Sequence, residues 1–334
     1  MSQTRYDVTG VGNAIVDVIA PCQDDFLSDQ NIEKGAMTLI DEARAEALYA
    51  AMAPGKEVSG GSAANTLAGI ASMGGKGAYI GKVADDDLGK IFRHDLNAAG
   101  VDYTTKPLDS GPLTARCLIN VTPDAQRSMS TFLGASVHFS EEDIDAEKIS
   151  AARITYLEGY LFDRDEAKAA FVKAAEIARA AGRMTSLTLS DSFCVDRHRA
   201  AFRQLVRNHV DILFANEDEI TSLYEVSSFD EAIDQVRQET RIAAITRSEK
   251  GAVLIEGGEA TAIPAEPVDK IVDTTGAGDL FAAGVLSGLS KGLDLSSSGR
   301  LGAIAASEII SHIGARPNVE LAILARSKGI DLEE

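Results

Sequence analysis

Tryptophan is missing from this 334-residue chain, and aromatic residues of all kinds make up only 5% of it. So sparse a supply of flat π-faces argues against a base-stacking platform for nucleic acid. Cysteine is nearly as scarce. Cys22, Cys117 and Cys194 are too few and too scattered for a disulfide framework or a zinc site, and read as reduced, mostly interior thiols. The five histidines form no pair at metal spacing and no G-x-S-x-G elbow occurs, so metalloenzyme and serine-hydrolase readings fall away. No apolar run reaches the length of a membrane-spanning helix. The opening MSQTRYDVTG lacks the zones of a signal peptide, and a cytoplasmic location is expected. Positive charge is short as well: 32 Lys and Arg against 51 Asp and Glu give a formal net charge of −19. Such a surface repels nucleic-acid backbones and anionic membranes, so neither is expected as a partner, and any anion must be held at a local site.

What the chain has is 45% hydrophobic residues and length enough to bury a large core. Short β-branched or apolar runs alternate with alanine-rich amphipathic stretches. Strands are expected near Tyr6–Val11, Ala78–Val83, Arg153–Leu157, Met184–Leu189, Asp211–Phe214, Ile242–Thr246 and Ala252–Ile255, with helices between them, such as Asp165–Ala181 closed by Gly182. This alternation predicts an α/β fold with a mostly parallel central sheet and helices on both faces. Two stretches break the rhythm. Lys34–Asp41 and Leu113–Ala135 read as strands and a hairpin, with TPDAQ as the turn, and would form a small β layer beside the main sheet. No repeat or linker appears, so one continuous domain over residues 1–334 is expected, with a β lid from segments at about 15–45 and 104–136.

The densest run is VDTTGAGDLFAAGVLSG, Val272–Gly288. Gly276 and Gly278 let the backbone curl and present successive N–H groups to one point, and the helix that follows adds its partial positive charge. Asp279 at that junction would repel a resting phosphate but suits a base for an attacking hydroxyl. Alternatively it decorates a helix N-terminus, where acids are favoured. A second cluster, SGGSAANTLAGIASMGG, places Gly60 and Gly61 for close backbone approach, Ser62 as a helix cap and Asn65 on the first turn; it reads equally as a tight turn before a packed helix. In TGVGNAIVDV, Gly10 and Gly12 evoke a dinucleotide fingerprint, but Ile15 stands where the third glycine belongs. Asn13 and Asp17 share one face if that segment is extended, and could grip vicinal hydroxyls or simply face solvent. No Walker A spacing occurs. In ANEDEI, Asn216 and Glu219 stand as N-cap and N3 of a helix; they could form a capping box, bind Mg²⁺ through water, or both.

Together these residues resemble the ribokinase-like (PfkB) carbohydrate and nucleoside kinase family over almost the full chain. GGSAANTLAGIASMGG…YIGKVADDDLGK is similar to its N-terminal signature, DTTGAGDLFAAGVLSG to its C-terminal D-T-x-G-A-G-D signature, and NEDE to its N-x-x-E element. The resemblance implies ATP-dependent phosphorylation of an alcohol, with Mg²⁺. Carried over by position, Asp279 is the general base and the amides across Gly276, Ala277, Gly278 and Asp279 form the anion hole. Asn216 and Glu219 organise magnesium and its waters. The TRSEKGA run (Thr246, Arg247, Ser248 and Gly251) meets ATP. Asn13, Asp17, Gly60, Gly61 and Asn65 hold the acceptor's sugar hydroxyls. Asp273 and Thr275 match positions that in some members bind a monovalent cation such as K⁺.

RSMSTFLGAS, LEGYLFD and TLSDSF are similar to the adenosine-kinase branch. There a lid arginine, here Arg127, reaches the transferring phosphate. Tyr160 and Phe193 from the core, with Met37, Cys117 and Leu133 from the lid, would surround a purine, unless they are ordinary packing residues. The run SAAN after the two glycines departs from the animal-type enzymes and leaves other nucleosides, or a free sugar such as ribose, open as acceptors. The expectation is an adenosine-directed nucleoside kinase acting as monomer or homodimer. A sugar kinase is the alternative, and a non-catalytic nucleoside-binding regulator a third reading.

Overall fold

The computed structural model describes residues 4–124 and 126–332; the first three residues of the opening run and Ala125 of the TPDAQ turn lie outside it. Strands run, in chain order, Tyr6–Val11 (β1), Ile15–Pro21 (β2), Met37–Leu39 (β3), Lys56–Gly60 (β4), Gly77–Ile80 (β5), Val101–Tyr103 (β6) and Ala115–Val121 (β7). They continue with Arg127–Phe132 (β8), Ala152–Glu158 (β9), Met184–Thr188 (β10), Ile212–Asn216 (β11), Ile242–Thr246 (β12), Ala252–Glu256 (β13) and Glu259–Ile263 (β14).

Nine of these form one sheet in the order β14-β13-β12-β11-β10-β9-β1-β5-β6. It is parallel from β6 to β12 and ends in an antiparallel pair, β13 and β14. Strands buried on both faces carry apolar side chains at consecutive positions rather than alternate ones, which explains runs such as ILFA. In β11, Ile212 and Phe214 enter one core, and Leu213 and Ala215 the other. The first core is closed by helices Ser62–Ser72, Ala277–Ser290 and Leu295–Ile309, the second by Asp165–Ala180, Ser192–His209, Glu217–Tyr224 and Phe229–Glu239. Helix Asp165–Ala180 ends where expected: past Ala181 and Gly182, the Arg183 N–H closes back on the Ala178 carbonyl at 2.8 Å.

The smaller sheet has the order β3-β8-β7-β2-β4. Its period-two alternation divides the labour of its faces. Val16, Val18 and Leu118 pack into the main core with Leu48, whereas Ile15, Cys117 and Ile119 cluster on the other face, shared by Asp17. The 15–45 stretch also carries helix Asp24–Asp29 and the start of Glu42–Ala51, and β4 lies outside both expected lid segments.

Chain order reverses at β1, which has β5 on one flank and β9 on the other. In open α/β sheets the crevice at the C-terminal ends of strands flanking such a point is where ligands bind. Here that crevice is bordered by residues 12–14 and by Glu158–Tyr160.

Candidate active site

Helix Ala277–Ser290 is capped by Gly276 at φ +81°, a conformation that a side chain tolerates poorly. A Cβ at Gly276 would also lie 3.0 Å from the Ala315 Cβ. This turn sets Asp279 on the first helical turn, where its Oδ1 accepts from the Ser62 hydroxyl (2.6 Å) and its Oδ2 from the Asn65 amide (3.0 Å). Burial raises its pKa, opposed by those two hydrogen bonds and by the charge of Arg316. Ser62 therefore does not cap its helix, as the sequence suggested; Gly61, at φ +89°, holds the cap position and Ser62 is spent on Asp279. Of the four amides expected to face an anion, that of Ala277 donates to the Thr274 carbonyl at 3.2 Å. The first bond back within the helix is Leu280 N–H to the Gly276 carbonyl, and those of Gly278 and Asp279 have no protein acceptor among the described residues. A Cβ on Gly278 would meet nothing within 4 Å, so this end of the helix is open to a ligand.

Asp17 on β2 pairs with Val58 of β4, and its carboxyl reaches over Gly60, where any side chain would strike it within 2.4–2.6 Å. Burial raises its pKa to about 6, opposed by Arg316 and Arg127 and reinforced by Asp279. Asn13 is not on the strand face that spacing suggested. It sits in the loop before β2, and its amide donates to the Glu158 carboxylate at 3.0 Å. Glu158, at the end of β9 and 1% exposed, also accepts from the Ala63 N–H at 2.8 Å, and burial lifts its pKa to about 7.

Asn216 and Glu219 form the full capping box: Glu219 N–H to Asn216 Oδ1 at 2.8 Å, with the Glu219 carboxylate accepting from the Asn216 backbone (3.0 Å) and side chain (2.7 Å). Burial pushes the Glu219 carboxyl to about 7, the Asn216 amide opposing and Asp191 and Asp218 adding to it. A carboxylate so placed, with no cation paired to it, is a hard-oxygen donor that fits Mg²⁺ and its waters. Pairing of Asn216 with Thr246 across β11 and β12 brings the second expected nucleotide segment alongside. There Arg247 grips Glu217 with two 3.1 Å bonds and lies over the Phe229 ring, and the turn through Ser248 closes with Arg247 N–H to the Gly251 carbonyl at 2.8 Å.

Arg127 reaches from β8 to the residues expected for a monovalent cation. Its guanidinium pairs with Asp273 and donates to the Thr275 hydroxyl at 2.7 Å. Asp273 further accepts from Gly314 N–H (2.9 Å), Thr275 N–H (3.0 Å) and the Thr275 hydroxyl (2.7 Å). Burial alone would raise its pKa, but these donors prevail and the net shift is downward. A carboxylate satisfied by four donors leaves no vacancy for K⁺, so that expectation does not fit. Arg127 is tied to the head of the 273–279 turn rather than free in the crevice.

The apolar candidates divide between the two sheets. Tyr160 and Phe193, 41% and 75% exposed, follow β9 and β10. Burial raises the Tyr160 phenol, and the charges of Asp191, Asp279, Glu219 and Glu158 add to it. In the smaller sheet, Met37 is exposed on the edge strand β3, and Cys117 is buried on the face shared with Asp17, its thiol pushed up to about 12 by burial, hence unreactive near neutrality. Leu133 lines a cleft of about 380 Å³ with Leu39, Pro112, Phe132 and His138.

Sequence reasoning missed Ser62 as a donor, Glu158 and Arg316. Glu158 had a usable signal, an acid ending a strand pattern immediately before glycine; Arg316, in a loop, had none. The raised carboxyls, Asp279 among them, have a measurable consequence. Asp17, Glu158 and Glu219 titrate at about 6, 7 and 7 in the fold against 3.8, 4.5 and 4.5 ordinarily. The native state therefore holds more protons than the unfolded chain between about pH 4 and 7, and stability falls as pH rises through that window. Tm is expected to drop by roughly a few degrees from pH 5 to pH 8; a Tm that rises over that range would contradict these burials.

Among the described residues no helix is long and apolar enough to cross a membrane. The chain matches the pfkB family carbohydrate kinase description over residues 39–322. It is 51% identical to a probable sugar kinase from Rhizobium etli CFN 42, with a TM-score of 0.91, covering 98% of this chain and 99% of that one. It is also 51% identical to the adenosine kinase from Sinorhizobium meliloti, with a TM-score of 0.90 and coverage of 98% and 100%. An adenosine kinase from Saccharomyces cerevisiae is 28% identical over 91% of this chain and 94% of its own length. With a glycine-capped helix end, a carboxylate held at its mouth and a match of this extent, the chain belongs to the pfkB family of carbohydrate kinases and is a phosphotransferase acting on an alcohol group.

Proposed function

We propose that this protein is an adenosine kinase, moving the γ-phosphoryl group of ATP to the 5′-hydroxyl of adenosine to give AMP and ADP. The observation that carries the reading is Asp279, oriented by Ser62 and Asn65 at a helix end whose Gly278 and Asp279 amides have no protein acceptor. Its carboxylate takes the hydroxyl proton as the acceptor oxygen bonds to the γ-phosphorus. The bond from that phosphorus to the bridging oxygen breaks, and ADP leaves with the electron pair. The free amides stabilise the charge that gathers on the transferring oxygens. Asp17 and the Asn13–Glu158 pair supply a polar floor for sugar hydroxyls. Tyr160 and Phe193, with Cys117 and Met37 from the lid, would supply apolar area for a purine. Asn216 and Glu219 would hold Mg²⁺ through its waters, and bound magnesium supplies shielding of the phosphate charge. No monovalent cation enters the reading, because Arg127 already neutralises Asp273.

The polar floor serves a free sugar equally well, which keeps a sugar kinase as the second reading. ADP release with ATP and Mg²⁺, measured over adenosine, guanosine, inosine, cytidine, ribose and fructose, decides between them. Adenosine is expected to turn over fastest, at the same rate with or without added potassium. Turnover with ribose or fructose alone would keep the chemistry at Asp279 and reject the purine pocket.

A further inference from the structure

Arg316 lies in the run GARPN, between helices Leu295–Ile309 and Leu321–Ser327, and is half-buried. Its guanidinium spans two elements that the site depends on. One nitrogen donates to the Ala64 carbonyl at 2.7 Å, in the first turn of the helix that presents Ser62 and Asn65. The others donate to the Ser59 carbonyl (2.9 and 3.3 Å) and hydroxyl (3.0 Å), next to Gly60 on β4. Ala315, the preceding residue, is the neighbour that a side chain on Gly276 would strike, so the same short segment braces the helix turn as well. Arg316 thus touches both walls around Asp17 and Asp279 without hydrogen-bonding either carboxylate.

Its charge acts on both of them. From the surrounding elements, the groups facing these two carboxylates are Tyr156 and Glu158 of β9, Tyr160 after it, Cys117 of β7, Arg127 of β8 and Arg316. Only the two arginines are cationic, and Arg127 is committed to Asp273. For Asp279, Arg316 is the cation that offsets burial. Burial lowers its own pKa to about 10, opposed by Asp17 and Asp279, and it stays charged at neutral pH.

We propose that Arg316 is a positioning residue for phosphoryl transfer, tying β4 to the first turn of helix Ser62–Ser72 and holding a fixed positive charge behind Asp17 and Asp279. The inference rests on the kinase reading. A purely structural arginine would, when replaced, lower stability and leave the ionisation of the site alone. A positioning charge moves that ionisation.

The test compares wild type, R316K and R316Q. The acid limb of kcat/KM for adenosine is expected to shift upward by about one pH unit in R316Q, because the neighbouring carboxylates lose their cation. R316K keeps the charge, so its limb is expected to stay in place while kcat falls with the lost bonds to Ser59. A limb unmoved in R316Q, or moved as far in R316K, overturns the inference. Stability gives a second reading that does not need turnover. D17N removes one of the carboxylates left uncompensated, so it is expected to raise the Tm of R316Q more than that of wild type, or to restore soluble protein if R316Q alone does not fold. An equal change in both backgrounds, or no recovery, overturns it. A wild-type chain silent towards the whole acceptor panel rejects the kinase reading and the inference with it. An active wild type whose limb does not respond rejects the inference alone.

Discussion

Asp279→Asn is expected to lower kcat by roughly 10²- to 10⁴-fold, the range over which a positioned base contributes. The substitution preserves shape. It changes what the group can accept: the basic carboxylate is lost, and one accepting oxygen becomes an amide NH2 that donates, set against either Ser62 or Asn65, each of which donates to the native carboxylate. Stability is expected to hold or rise, because burial disfavours the ionised carboxyl that the variant removes. The residual rate should also lose the acid limb that belongs to this group. Steady-state kinetics and a thermal melt on the same preparation check both parts. A variant that turns over like the wild type with an unchanged pH profile would falsify the base assignment.

Gly276→Ala is expected to produce the second large loss, on the order of 10²-fold in kcat, because the turn that aims the amides and Asp279 must shift. The added carbon would sit 3.0 and 3.1 Å from the Ala315 Cβ and Cα, on a residue whose φ of +81° already disfavours a side chain. A stability cost of about 1–3 kcal/mol accompanies it. Gly278→Ala separates the geometry of the turn from the space in front of it. That position has no neighbour within 4 Å of a new Cβ, so its fold should be untouched. If the phosphoryl group passes there, kcat falls at constant Tm. Equal activity in Gly278→Ala and wild type would show that the helix end is not approached closely by the substrate.

Much of the architecture is legible in the chain because strand and helix periods are local properties. Tyr6–Val11 and Ile242–Thr246 are strands at the residues expected, and the other five core strands match within a few positions at their ends. The boundaries that moved did so where tertiary pairing extends or ends a strand: β11 continues to Asn216 because Thr246 pairs with it, and β5 stops at Ile80. The strand Lys56–Gly60 escaped notice because its residues grade from exposed at Lys56 to buried at Ser59 and Gly60, with Val58 its one aliphatic side chain, which leaves no apolar alternation to read. In the same way the run after Gly12 looked uniformly extended, yet Asn13 turns out of register to meet Glu158, a partner 145 residues away.

The candidate site shows the same division. Gly276 and Asp279 stand three residues apart, and so do Asn216 and Glu219, so the chemistry of each pair could be argued from the sequence alone. Three contacts could not. Ser62 donating to Asp279 joins residues 217 positions apart, Arg127 meeting Asp273 joins residues 146 apart, and Arg316 reaching Ser59 spans 257. The chain by itself determined the elements, the glycine-capped helix and the residue types able to carry phosphoryl transfer, because backbone conformation and side-chain chemistry are set by near neighbours. Only the folded sheet decided which hydroxyl orients Asp279, which arginine neutralises Asp273 and which stands behind the two carboxylates. Such partners are chosen by parallel strand order and helix packing, which bring distant segments to one crevice and leave no periodic trace in the sequence.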